Sequence, residues 1–361
     1  MWKIEDVPNL RGFTVEWMGE GRFLLSKKNR LYETSDINDK PKLIGEVPAL
    51  SINSFLANFR LGQRLTRFMF FNVLPLANGE VFVTFGKQAG VFRDGNYQAL
   101  SGLERPFRVM RGACAVDQYG DIYFGEYLVN HGQSAIRIYR YTPENKKTET
   151  VYTFAPAEIL HVHGIYFDPY TNALWCVTGD SATESKIIRT YDGFKTLEII
   201  GTGNESWRTM SLQFTKDAIY YASDAEFNDN FIYRLDRQTG ERKTICQIDG
   251  PVYYSCSIGE DLFFAVTAEI APSQKKQRAV IWHVSPQTDT AKEIYSAEKD
   301  LLQNKKLGTL FMFGILHFAR GQSNKEEMFI HGVGLKKIDN RTLRISKLDL
   351  CNNSLATENT E

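Results

Sequence analysis

His161-Val162-His163 is the stretch of this chain best equipped for chemistry. Residues two apart on a strand share a face, so both imidazoles can aim at one point. Two chemistries are open to them. The rings can begin a Zn or Mn site, with His317, Asp180 or Glu126 completing the ligand set. Alternatively His163 acts as a general base near neutral pH while His161 contacts substrate. No third ligand lies beside the pair in sequence, which favours the metal-free version. No cofactor is therefore expected, and a divalent Zn or Mn ion on His161 and His163 is the alternative. His131, His283 and His331 carry no such signal.

Other residues add to the pair. Trp207-Arg208 follows the flexible run Gly201 to Ser206; Arg208 can clamp a carboxylate in two parallel hydrogen bonds, and Trp207 can stack on a sugar face. Tyr253-Tyr254-Ser255 offers two phenols, with Tyr254 as proton donor or base and Tyr253 as a substrate contact. Arg105, Arg108 and Arg111 form a basic cluster from which Arg108 is taken as a substrate-binding residue. Among Glu126, Asp180, Glu184, Asp224, Glu226 and Glu269, two of Glu126, Asp180 and Asp224 could do the acid and base work of glycoside hydrolysis. Gly201-x-Gly203 precedes a strand and so is no nucleotide loop, and no P-loop, GxSxG, HExxH or EF-hand pattern occurs.

These residues must be positioned by a repeat. Gly112–Val116, the turn Asp117-Gln118-Tyr119-Gly120, Asp121–Glu126, Ala135–Tyr139 and Thr150–Phe154 make four short apolar strands. Similar units recur with second strands centred near Phe23, Val81, Ile122, Leu174, Ile219, Leu262 and Met328. A four-stranded unit returning every ~40–50 residues is a β-propeller blade. The first copy runs from Phe13 to Ile44, and the last uses Leu310 to Phe313, Met328–Ile330, Leu335–Ile338 and Arg344–Leu348. Because both look complete, an all-β propeller of seven four-stranded blades is expected, with six as the alternative. Residues 51–68 have a helical period and read as an insertion between the first two blades.

Strands lettered A to D from the axis outward place the D–A and B–C loops on one face. The polar residues above fall at A-strand starts (Arg105, Arg108, Arg111, His161, His163, Trp207, Arg208, Tyr253, Tyr254) or B-strand ends (Glu126, Tyr127, Thr178, Gly179, Asp180, Asp224, Glu269). They are expected to converge on one mouth of the axial channel.

Composition sets limits. With 43% hydrophobic residues, 24 Phe and 17 Tyr among 361, the chain can bury a large strand-built core, and repeats from 13 to 348 leave no room for a second domain. A single propeller over 1–350 with a polar tail at 351–361 is expected. Forty-three basic and 43 acidic residues cancel, so no global field draws nucleic acid or an anionic membrane. The five cysteines, 114, 176, 246, 256 and 351, are isolated and read as buried thiols of a reducing compartment. The first residues show no secretory signal, and no apolar run reaches membrane length. The expected placement is cytoplasmic, without membrane insertion.

Thr190-Tyr191-Asp192-Gly193-Phe194-Lys195-Thr196-Leu197 resembles the Asp box of BNR/sialidase-type propellers, with Thr142 to Thr148 a weaker copy. Residues 100 to 280, through Glu126-Tyr127, His161–Pro169, Thr178–Asp180, Trp207-Arg208 and Pro251–Ser255, resemble sialidase-like propeller proteins encoded with bacterial capsule or exopolysaccharide genes. Seven-bladed polysaccharide lyases, some with a histidine-bound metal, are a second comparison, matched here by the His pair, Arg208 and Tyr254. Both resemblances imply a carbohydrate-active protein taking an anionic glycan or oligosaccharide at the channel mouth, as a lyase or glycoside hydrolase. Catalysis would fall to His163, Tyr254, Arg208, Glu126 and Asp180, and substrate contact to His161, Trp207, Arg108, Tyr253 and Asp224. The alternative is a non-catalytic propeller holding a glycan or protein partner in a polysaccharide pathway.

Overall fold

A computed structural model describes residues 1–300, 304–322 and 326–348. The expected tail at 351–361, with Cys351, lies outside them. Seven blades of four antiparallel strands surround one axis, the first extended by a short parallel strand at Arg320–Gly321, so the all-β, seven-bladed expectation holds. Blade 4 shows the plan: strand A is His161–Asp168, B Ala173–Gly179, C Lys186–Thr190 and D Glu198–Thr202. All seven residues of its B strand are buried, whereas in D only Gly201 is. Inner strands are sandwiched between neighbouring blades and read as continuous apolar runs. Outer strands face water along most of their length.

The seventh blade corrects the reading of the last repeat. Residues Leu310 and Phe311 belong to a helix, Lys305–Phe311, and strand A is Ile315–Phe318. Strand B is Glu327–Val333 and strand C Arg341–Lys347. Leu335 makes only an isolated bridge to Lys299 and the residues 336–340 are turn, with Lys337 and Asn340 at left-handed φ values of 66° and 59° that a strand cannot hold. The fourth strand comes from the other end of the chain. Trp2–Asp6 pairs antiparallel with Arg341–Lys347, from Trp2 opposite Lys347 to Asp6 opposite Leu343. The ring is thus closed by hydrogen bonds between the two ends, and Trp2 anchors the closing strand edge-on against Phe263 at 4.9 Å.

The insertion between blades 1 and 2 is helical, as expected, but broken in two. Ser51–Leu56 and Arg60–Thr66 meet where Gly62 packs on the Leu56 carbonyl; a Cβ there would lie 2.0 Å from that oxygen. Among the described residues no helix is long and apolar enough to cross a membrane.

The Asp-box-like hairpin joins strands C and D of blade 4, on the face opposite the mouth. Asp192 Oδ1 accepts from the Lys195 and Thr196 amides at 3.0 and 2.9 Å, and Thr196 Oγ1 donates to Oδ2 at 2.7 Å. These bonds, the Thr196 amide foremost, hold the carboxyl at about 2. The network fixes a turn and has no part in the mouth.

Candidate functional site

At the mouth, the start of the blade-4 A strand lies against the end of its B strand, with His161 opposite Gly179. A register shift between Val162 and Gly164 accompanies this pairing. His161 and His163 are buried, at 4% and 1% exposure. Gly179 makes room for the second ring: a Cβ there would stand 2.3 Å from His163 Cε1. Asp180, one residue on, extends into the same space with 39% of its side chain exposed.

Hydrogen bonding fixes the imidazoles. His161 Nδ1 lies 3.0 Å from the Leu128 carbonyl oxygen and His163 Nδ1 lies 3.1 Å from that of Thr209. A carbonyl only accepts, so both Nδ1 atoms carry the proton and both Nε2 atoms present lone pairs. Those Nε2 atoms are 3.2 Å apart, and Asp180 Oδ1 lies 3.0 Å from His163 Nε2 and 3.5 Å from His161 Nε2. Three electron-pair donors therefore converge. Burial pushes the His163 pKa down and outweighs the pull of Asp180, which favours the neutral ring. Burial raises the Asp180 carboxyl; a proton placed on His161 or His163 Nε2 opposes this through a hydrogen bond and its charge, and draws the carboxyl far below the carboxylate range.

This trio is the cluster of metal-ligating groups found among the described residues, its ligand atoms all within 4.8 Å. Bonds of about 2.0–2.2 Å place neighbouring ligand atoms ~2.9–3.5 Å apart around a tetrahedral or octahedral ion. The observed separations fit. Two imidazoles and one carboxylate on one side of an ion leave its remaining positions open, and both Nδ1–H groups are oriented by backbone carbonyls, as metal-bound histidines usually are. Asp180 supplies the third ligand that the sequence neighbourhood of the pair did not offer.

Around the trio stand further charged and phenolic groups. Arg208 Nη2 reaches Asp180 Oδ1 at 3.3 Å, Nη1 the Asp180 carbonyl at 3.2 Å, and Nε Asp224 Oδ2 at 3.2 Å. Burial would lower the Arg208 pKa, but Asp224 and Asp180 raise it. Asp224 is 2% exposed, and its Oδ1 is buried without a partner among the described residues. Burial, with Glu269 and Asp180 nearby, pushes its carboxyl well up against the pull of Arg208. Glu269 is also raised, chiefly by burial, against the pull of Arg208 and of the Tyr253 phenol. The Tyr127 ring lies over His161 at a centroid distance of 4.0 Å. Burial raises its phenol too, followed by the charge of Asp180.

The structure separates residues that adjacent numbering joined. Glu126 is fully buried and turned away: its oxygens take Arg105 Nε at 2.9 Å, Arg105 Nη2 at 2.5 Å and the Arg137 amide at 3.0 Å. Tyr127, pointing the other way, is the one that reaches the histidines. The same alternation divides the tyrosines. Tyr253 belongs with Glu269, while Tyr254 packs edge-on against His317 at 5.0 Å, deeper along the axis. Its phenol is raised to about 12 by burial. His317 is likewise outside the trio, paired across strands with His331. Trp207 fills the space above Gly201, stacks on Tyr221 at 6.1 Å and carries the Arg242 guanidinium 4.0 Å from its ring, so it packs between blades 4 and 5 and apart from the trio. Tyr127 and Glu269 had only their positions at B-strand ends to mark them. Arg67, where the helical insertion ends, had no sequence signal.

No protein-family model matches the chain, and no curated protein matches it. Solved structures share its shape. The extracellular domain of BT4673 from B. thetaiotaomicron superposes with a TM-score of 0.57 at 10% identity, covering 96% of this chain and 39% of that one. This chain thus spans about two-fifths of that protein. YCF48 bound to D1 peptide gives 0.56 at 12% identity over 96% and 97%. Oligogalacturonate lyase in complex with manganese gives 0.55 at 10% over 97% and 91%. At such identities the likeness shows the propeller fold and nothing finer.

Proposed function

We propose that this propeller binds a divalent transition-metal ion at His161, His163 and Asp180 and acts there on an anionic glycan. The observation that carries the reading is the convergence of two Nε2 lone pairs and a carboxylate with no proton donor of their own to share. His161, His163 and Asp180 would hold the cation, which would offset the repulsion among three acceptors and supply the positive charge that neutralises a uronate carboxylate and makes the neighbouring C5 proton more acidic. Asp224 and Glu269 supply the proton chemistry. Both carboxyls are raised by burial, so one can deliver a proton to a leaving oxygen while the other removes one. In elimination the C5 proton leaves to the base, the C4–O bond breaks, a C4–C5 double bond forms, and the departing oxygen takes the acid's proton. Arg208 holds Asp224 beside the trio, since it binds Asp180 and Asp224 at once. His163, as a ligand, is then no base.

The bacterial exopolysaccharide setting rests on the sequence resemblance alone and supplies the substrate class. Elemental analysis after reconstitution with Zn or Mn is the first test, with one ion per chain expected. Absorbance of an unsaturated uronide over a panel of uronate polymers is the second. Stoichiometric metal with neither unsaturated product nor new reducing ends would leave a metal-bearing binding platform and sink the enzyme; new reducing ends alone would make it a hydrolase.

A further inference from the structure

The mouth holds two arginines that the metal trio does not use. Arg108 precedes the blade-3 A strand, and its backbone pairs with Tyr127, N to O at 3.3 Å and 2.9 Å in the two directions. Arg67 caps the second helix of the insertion in the left-handed region, φ 50° and ψ 47°, just before the blade-2 A strand at Phe70. Both sit in D–A loops and so on the mouth face. Arg60, Arg64, Arg105, Arg111 and Arg208 on that face each hold a carboxylate within 3.3 Å. Among the described residues, Arg67 and Arg108 hold none. Arg67 donates to the Thr309 carbonyl at 2.7 Å, and among the described residues the Arg108 guanidinium has no hydrogen-bond partner, with Nε fully buried. A half-buried guanidinium without an acceptor is costly, and an arginine so placed presents its donor fork to whatever anion enters.

We propose that Arg108, supported by Arg67, is an anion subsite beside the metal trio, so that the mouth takes a ligand with two negative groups. One carboxylate would lie at His161, His163 and Asp180, the other across Tyr127 on the guanidinium pair. Resting on the glycan reading above, this makes the ligand an oligo-uronide and not a single uronic acid. Burial depresses the basicity of both guanidiniums, and their mutual repulsion adds to this for Arg67, so a bound anion relieves both. The Tyr127 ring separates the two subsites and offers a face to the sugar between them.

The subsite is tested apart from the metal. Wild-type protein stripped of metal is titrated with inorganic sulfate, in parallel with Arg108→Gln, Arg108→Lys and Arg67→Gln. Saturable binding is expected, weakened ~10-fold by Arg108→Gln and less by the lysine variant. Absence of saturable binding, or equal binding by Arg108→Gln, overturns the subsite; melting curves and reconstituted Mn content show that each variant is folded. In the metal-loaded protein, digalacturonate should bind ~10-fold or more tighter than galacturonate, and Arg108→Gln should erase that gap. Digalacturonate bound equally by wild type and Arg108→Gln overturns the subsite and leaves the glycan reading standing. Sulfate bound through Arg108 with neither uronide bound overturns the oligo-uronide and the glycan reading together, while the anion subsite stands.

Discussion

Blades 4 and 5 are joined twice by a carboxylate of the first and an arginine of the second, once on each face of the disc. On the face away from the mouth, Asp168 and Arg237 form a two-pronged pair at 2.5 and 2.9 Å, and Asp168 also accepts from the Tyr170 amide and Thr171 Oγ1. Asp168 is fully buried. On the mouth face Arg208 divides itself between Asp180 and Asp224, one oxygen of Asp180 serves two imidazoles as well, and Asp224 Oδ1 has no partner among the described residues. The same two residue types thus make a closed joint in one place and an open one in the other. A joint that serves only stability saturates its hydrogen bonds; one left incomplete in the folded chain keeps capacity for something else.

The contrast predicts opposite consequences of the same change. Asp168→Asn leaves the largely buried Arg237 without its counter-charge, and should cost about 3 kcal/mol in denaturant unfolding while Mn content per folded chain stays at the wild-type level. A destabilisation of the metal-free protein by Asp180→Asn as large as that would erase the distinction between the two joints. Asp180→Asn is instead expected to leave metal-free stability within about 1 kcal/mol, because an amide can donate to the bare Nε2 atoms. It should weaken Zn or Mn binding on the order of 100-fold, read by competition with a chromophoric chelator.

Gly179→Ala sharpens the point at a residue that ligates nothing. Its Cβ would fall 2.3 Å from His163 Cε1, so the ring must rotate away from Asp180. Metal affinity should drop ~10–100-fold, with the Asp168–Arg237 joint untouched. Unchanged affinity would mean that His163 is not held where the trio requires it.

How far all this was legible in the residues depends on periodicity. Blades 1 to 6 announce themselves because inner strands buried on both faces carry apolar runs such as Leu262–Val266, whose five residues are all buried. The seventh was misread where pairing is remote in sequence: nothing near Arg341–Lys347 marks Trp2–Asp6 as its partner. The site follows the same rule. That A-strand starts and B-strand ends share a mouth follows from topology and brought His161, His163, Asp180, Arg208 and Asp224 to one rim. Which of two neighbours faces the rim depends on strand phase at its last residue, where loops and bulges reset the alternation. Glu126 with Tyr127 and Tyr253 with Tyr254 both turned on that.

The molecule contains a second buried histidine pair that isolates the role of the carboxylate. His317 and His331 stand opposite each other in blade 7, near Arg60 and Arg111, and His331 Nδ1 lies 3.1 Å from Thr342 Oγ1. No Asp or Glu joins them in a ligand cluster among the described residues. Burial, then the two arginines, lowers the His331 pKa to about 3. An unfolded histidine titrates near 6.5, so between these values the unfolded chain binds the extra proton. The contribution is therefore complete above about 6.5 and is lost as pH falls toward 3. From pH 6.5 to 5.5 one such histidine should remove about 1 kcal/mol from the unfolding free energy of the metal-free protein. His331→Gln should lose that much less over the same interval, measured by denaturant titration at the two pH values. An equal loss in wild type and His331→Gln would show that this ring titrates no lower in the folded chain than in the unfolded one, and the contrast between the two pairs would then rest on geometry alone.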